Sequence, residues 1–178
     1  VMQNIDGRHY WHMREPAYFS ALSTFGAMPE TVIRRLLEKG RVLKLQKGER
    51  LYDAGERSDS FYVVLEGDVN TYMPGEEGGW TLARLHKPGD DMGFVPMIAL
   101  TDRPGKTVAE TDAVVLEITS GQFFDLHQQE PDAFGLMILN LVRGMARAVI
   151  NMANMLEEQD RELHRAYSTR TQNNRDRD

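Results

Sequence analysis

Between Gly89 and Asp112 the chain reads GDDMGFVPMIALTDRPGKTVAETD. Glycine turns at Gly89 and Gly93 lead into a short apolar run, and Arg103 then stands before a corner of small residues, Pro104 and Gly105. Glycine lets backbone N–H groups approach an anion, and an arginine guanidinium can close on it with a forked, charge-assisted pair. The spacing makes this stretch a candidate phosphate cradle, with Gly93, Phe94, Val95, Arg103, Pro104 and Gly105 as its ligand-binding residues. Phe94, directly after Gly93, offers a sugar hydroxyl no acceptor.

Other chemistry finds little support. Cysteine is absent, which removes disulfides, thiolate nucleophiles and Cys-ligated metals. His9 and His12 stand three apart with no third ligand nearby, and His86 and His127 stand alone, so no metal site is expected. No GxSxG, Walker loop or GxGxxG occurs. The carboxylate pairs Asp90–Asp91 and Glu76–Glu77 fall in turns, where solvation accounts for them. No catalytic residue is assigned, and the chain is not expected to be an enzyme. A net charge of -6 with interleaved signs argues for a solvated mixed surface and against a general nucleic-acid binder. No apolar run is read as approaching the roughly 18 residues of a membrane span, and the start lacks a signal pattern. The expectation is a cytoplasmic protein with no membrane partner.

The elements that must position the cradle are mostly short strands. From Val42 to Ile118 the β-rich runs VLKL, RLYD, SFYVVLE, DVNTYM, WTLARL, KTVAE and AVVLEI alternate with turn signals such as KGE, EGD and PGEEGG. Strand starts roughly ten residues apart, with no helices between, indicate an antiparallel barrel or jelly roll. The 89–105 gap breaks that rhythm and is too long for a hairpin turn, which marks a functional loop. The fold class is mainly β with flanking helices (α+β). Residues 1–40 form an N-terminal helical segment, including a helix opened by Pro29 and stopped by Gly40. Residues 41–118 form the roll, 119–167 C-terminal helices that begin with one capped by Ser120, and 168–178 a disordered tail.

A long helix is expected from about Asp132 to near Tyr167. Phe134, Ile138, Leu141, Met145, Ala148, Met152 and Met155 recur in steps of four and three, and Val142, Val149, Leu156 and Leu163 recur every seven. Such a helix outreaches the roll, so its far half would expose Met and Leu unless it pairs in a two-fold homodimer. A Met-rich stripe packing on the N-terminal helices is the alternative.

In this arrangement the chain resembles the cyclic-nucleotide-binding domain family, the β roll of catabolite-activator-type (Crp-like) regulators and kinase regulatory subunits. The segment KGERLYDAGERSDSFYVVLEGDV carries the resemblance, with Gly48, Gly55 and Gly67 matching the structural glycines of the roll. The resemblance implies a phosphate-binding cassette in which Gly93 and Arg103 hold the cyclic phosphate, while Ala109-Glu110-Thr111-Asp112 matches the exit strand. Two positions depart from the family pattern. Phe94 stands where a Glu would accept from the ribose 2′-hydroxyl, and Pro104 stands where a Ser or Thr would donate to the phosphate. The span from Asp132 to Tyr167 contains no Ser or Thr for a base, which leaves Asn140, Arg143, Arg147 and Asn151.

The reading from sequence is therefore a non-catalytic, dimeric sensor domain that takes a small phosphate-containing ligand such as cAMP or cGMP, needs no cofactor, and signals through the long helix. The residues after that helix are too few for a DNA-binding helix-turn-helix. The rival is a degenerate, ligand-free dimerisation or interaction module of the same fold, with Phe94 plugging its own cavity. A cupin-like metal enzyme is a third option, disfavoured because no His-x-His occurs.

Overall fold

A computed structural model describes residues 2–175 of the chain, with side chains through residue 165. Two compact units are present, Val1–Val142 and Arg143–Asp178. In the first, strands β1 (Gln3–Ile5), β2 (Arg41–Leu45), β3 (Arg50–Tyr52), β4 (Ser60–Glu66), β5 (Val69–Pro74), β6 (Trp80–His86), β7 (Asp91–Met92), β8 (Lys106–Ala109) and β9 (Ala113–Thr119) form the roll. One sheet has the order β1-β2-β9-β4-β7 and the other β3-β8-β5-β6, with every recorded pairing antiparallel. The jelly-roll class expected from the sequence is what the chain adopts.

β4 shows why an almost continuous apolar run can serve in an antiparallel sheet. Its residues alternate between faces, and both faces are covered. Tyr62 and Val64 join Leu43, Leu45, Leu51, Tyr52 and Val115 in the interior of the roll. Phe61 turns the other way, meeting Phe94 and Phe123 edge-on at 5.5 Å between ring centres. The glycine after the strand, Gly67, has φ +75, and a Cβ there would strike the Asp112 backbone, so the tight β4–β5 turn requires glycine.

Helices cover that outer face. The short helices α1 (Gly7–His12) and α2 (Pro16–Ser20) contribute Trp11 stacked on Phe19 at 4.7 Å. The Tyr10 hydroxyl and Arg14 both donate to Glu66 at 2.6 Å, tying this segment to the end of β4. Helix α3 (Glu30–Lys39) buries Val32, Ile33, Leu36 and Leu37, with Pro29 as its cap and not its first residue. A six-residue helix, α4 (Phe94–Ala99), occupies the long loop, and α5 (Ser120–Gln129) follows β9. The cap of α5 is Thr119 and not Ser120: Thr119 Oγ1 accepts from the Gln122 N–H while Gln122 returns a bond to the Thr119 N–H.

Helix α6 runs Pro131–Arg175, past the expected end near Tyr167, because nothing in STRTQNNR breaks a helix. The last three residues of the expected disordered tail lie outside the described residues. Within the first unit the buried face of α6 is Ala133, Met137 and Leu141, shifted from the anticipated Phe134–Ile138–Leu141 stripe. In the second unit Val149, Ile150, Met152, Met155, Leu156 and Leu163 are exposed. Among the described residues α6 is one helix long and apolar enough to cross a membrane by length and composition, which corrects the expectation that no run approached that size. The charges in its apolar stretch, Arg143 and Arg147, are sparse enough to leave an 18-residue window apolar.

Candidate ligand-binding site

Residues 89–105 are held at both ends by the roll. The Gly89 N–H donates to the Val64 carbonyl at 2.8 Å, and the Gly89 carbonyl accepts from Ser23 Oγ and Thr24 Oγ1, both at 2.7 Å. At the far end the Arg103 N–H donates to the Glu56 carbonyl at 2.8 Å, and the Arg103 carbonyl accepts from the Gly55 N–H at 2.8 Å. Between them β7 pairs Asp91 with Val63 and Met92 with Tyr62, and Gly93 at φ +77 turns the chain into α4.

Arg103 does not project from this loop. Its side chain is 3% exposed and folds back beneath Gly93. Nη2 donates to the Ser60 carbonyl at 2.7 Å and reaches Ser60 Oγ at 3.3 Å; Nη1 donates to the Gly93 carbonyl at 3.2 Å. The guanidinium lies over the Tyr52 ring, 4.3 Å from its centre, and 5.6 Å from that of Tyr62. A Cβ on Gly93 would collide with Arg103 Nη1, so residue 93 must be glycine for two separate reasons. Arg103 Nε has no hydrogen-bond partner. The nearest carboxylate in its network is one hydroxyl away: Ser60 Oγ donates to Glu117 Oε1 at 3.0 Å, as does the Tyr62 hydroxyl. Glu117 Oε2 in turn lies 2.9 Å from Arg41. Burial, and then the Glu117 charge beside it, push the Tyr62 hydroxyl up to about 12.

Beside this network a cavity of about 140 Å³ opens between the loop and the second sheet. The loop contributes Gly93, Val95, Pro96, Pro104 and Gly105, and the strands contribute Tyr52, Thr71, Arg84, His86, Asp91 and Met92. The register shift between Thr71 and Tyr72 sets Thr71 opposite Arg84, and His86 follows on the same face of β6. Thr71 Oγ1 is 2.9 Å from His86 Nε2 and 3.1 Å from Thr107 Oγ1. Burial, reinforced by the Arg84 charge, pulls the His86 pKa down to about 3, so the ring is neutral. Burial pushes the Asp91 carboxyl up to about 6 against the opposing pull of Arg84.

Of the residues assigned from sequence, Gly93, Val95, Pro104 and Gly105 line the cavity. Phe94 does not: it is 2% exposed and packs on Phe61 and Phe123, so it does not plug the cavity, in contrast to the rival reading from sequence. Arg103 sits behind the wall formed by Tyr52 and Gly93. Asn140 is engaged elsewhere, its Nδ2 donating to the Gly26 carbonyl at 2.8 Å and the Thr24 carbonyl at 3.3 Å. Arg143 and Arg147 are exposed and belong to the second unit. Sequence reasoning did not find Arg84, His86, Asp91 or Thr71; the alternation of β6 placed Arg84 and His86 on one face, but only the paired sheet shows what that face meets.

The model of the family described as "Cyclic nucleotide-binding domain" matches residues 42–130, half of the chain. The chain belongs to the cyclic nucleotide-binding domain family. A cyclic nucleotide-binding domain from Methylobacillus flagellatus superposes with a TM-score of 0.76 at 14% identity, covering 89% of each chain. The catabolite activator protein of Thermus thermophilus superposes at 0.66 and 19% identity, over 78% of this chain and 63% of that one. At these identities the likeness is one of fold. Among curated relatives, the Fumarate and nitrate reduction regulatory protein of Yersinia pestis is 28% identical over 118 residues, 66% of this chain and 46% of its own length. The lysophospholipase NTE1 of Phaeosphaeria nodorum is 27% identical over 120 residues, only 8% of its length. The chain thus spans less than half the length of either relative.

Proposed function

We propose that this domain is a non-catalytic regulatory sensor of cytoplasmic location, in which a small phosphate-bearing ligand such as cAMP or cGMP enters the cavity beside Gly93. The observation that supports this reading is an open cavity lined by Arg84, by His86 with its unpartnered Nδ1, and by Gly93, Pro104 and Gly105 of the loop whose sequence resembles the family's phosphate cassette. Pockets that enclose a whole drug-sized ligand measure roughly 300–1,000 Å³, so at about 140 Å³ this cavity suits phosphate and sugar, with the base at its mouth. Signalling passes to α6, whose exposed Val142, Val149, Leu156 and Leu163 recur every seven residues and suit pairing with a second copy.

The Arg103 geometry favours one second reading, a ligand-free interaction module, because the cassette arginine is spent on backbone carbonyls. A melting and calorimetry panel with cAMP, cGMP and cyclic dinucleotides separates the two. Binding to the folded state alone raises stability by about 2.7 kcal/mol at a hundred-fold excess over Kd. The sensor reading expects such a rise; an unchanged melting temperature at millimolar ligand establishes the interaction module.

A further inference from the structure

Phe94 and Pro104 remove a carboxylate and a hydroxyl from the loop, and Arg103 faces into the wall. The strand side of the cavity nevertheless carries its own polar set. Arg84 from β6 is partly exposed and lines the opening. Asp91 from β7 is 7% exposed, and its carboxylate feels the Arg84 charge and its own backbone N–H. His86 is 3% exposed; its Nε2 meets Thr71 while Nδ1 makes no hydrogen bond. A buried carboxylate with spare lone pairs and a buried imidazole nitrogen each cost free energy while incompletely satisfied. Here both border the same cavity as an arginine.

We propose that Arg84 and Asp91 are the recognition pair of this cavity, Arg84 meeting the phosphate of a cyclic ribonucleotide and Asp91 accepting a hydrogen bond from its free 2′-hydroxyl. This inference rests on the sensor reading given above. It reverses the expectation from Phe94 that ribose is poorly distinguished: the carboxylate enters from Asp91, three residues upstream. An arginine answers the two exocyclic oxygens of the singly charged cyclic phosphate with charge-assisted bonds, and a carboxylate is an acceptor that a ribose hydroxyl can satisfy and a 2′-deoxy sugar cannot.

Calorimetric titration of the full chain with cAMP, cGMP and their 2′-deoxy analogues tests it. The wild type should prefer the ribose form by about 10-fold or more, the range of a hydrogen bond to a charged group. Asp91→Ala should bring that preference close to unity, and Arg84→Gln should weaken ribose and deoxyribose forms alike by about 10-fold or more. Should Asp91→Ala fail to fold, the isosteric Asp91→Asn must shrink the preference several-fold. Ribose preference that survives either Asp91 variant, or affinity indifferent to Arg84→Gln, overturns the recognition pair and leaves the sensor intact. Failure of every one of these nucleotides to bind the wild type overturns the sensor reading itself, and the pair with it.

Discussion

The Arg103 guanidinium and the cavity are separated by one aromatic ring: the charge lies 4.3 Å from the centre of Tyr52, and Tyr52 lines the cavity. The arginine that the family pattern assigns to phosphate therefore acts first as part of the frame. It joins the start of β4, through Ser60, to the Gly93 turn. Buried against Tyr52, it also gains a desolvated cation–π contact, worth up to about 2 kcal/mol.

Removing that side chain should be felt as stability. Arg103→Ala leaves the Ser60 and Gly93 carbonyls without their donor and opens a hole beneath the turn, a loss of roughly 3–5 kcal/mol. Arg103→Lys should recover little, since an ammonium cannot present two donors in a plane. Urea unfolding followed by circular dichroism reads both; near-wild-type stability for Arg103→Ala would show that the guanidinium is not part of the frame.

Phe94 yields an opposite expectation to the one its sequence position suggests. A glutamate there does not reach the cavity, because the side chain points at Phe61 and Phe123. Phe94→Glu buries a carboxylate among aromatic rings and should destabilise by about 3–5 kcal/mol or more without creating nucleotide binding. A stable, newly nucleotide-binding Phe94→Glu protein would refute this placement.

The buried acid and imidazole beside Arg84 give two opposed pH limbs. The Asp91 carboxyl rises from 3.8 to about 6, chiefly through burial, so the native state holds this proton more tightly than the unfolded chain. Its contribution is full below about pH 4 and is lost as pH climbs through about 6. His86 falls from 6.5 to about 3, again chiefly through burial, so its neutral ring supports the fold above about pH 6.5 and that support is lost as pH drops toward 3. Asp91→Asn should therefore raise stability near neutrality and flatten the limb between about pH 4 and 6, while His86→Gln should flatten the acidic one. Denaturation midpoints across that pH range decide it, and an Asp91→Asn profile parallel to the wild type would contradict the first limb.

Much of the roll could be read from spacing alone. The segment 47–69 punctuates its strands with glycines whose positive φ is realised at Gly48, Gly55 and Gly67, and the 89–105 interruption does border the cavity. The two-residue strand β7 could not be read, since its existence depends on pairing with Tyr62 and Val63 across the sheet. For the same reason Asp91 looked like a solvated turn residue and His86 like an isolated one. The direction of Arg103 was equally hidden: it depends on which carbonyls β4 and the Gly93 turn leave open, and that is a property of the folded sheet. The heptad spacing of α6 was visible, but the roll takes the Ala133–Met137–Leu141 face, a choice local periodicity does not make.

Thr24 holds two distant parts of the chain with one residue: its hydroxyl grips the Gly89 carbonyl, and its own carbonyl is gripped by Asn140 in the third turn of α6. The entrance of the 89–105 loop and the turn of α6 that carries Asn140 are thereby clamped to a common post. Neither can be displaced without straining or releasing a bond to Thr24, a tie in which Arg103 takes no part.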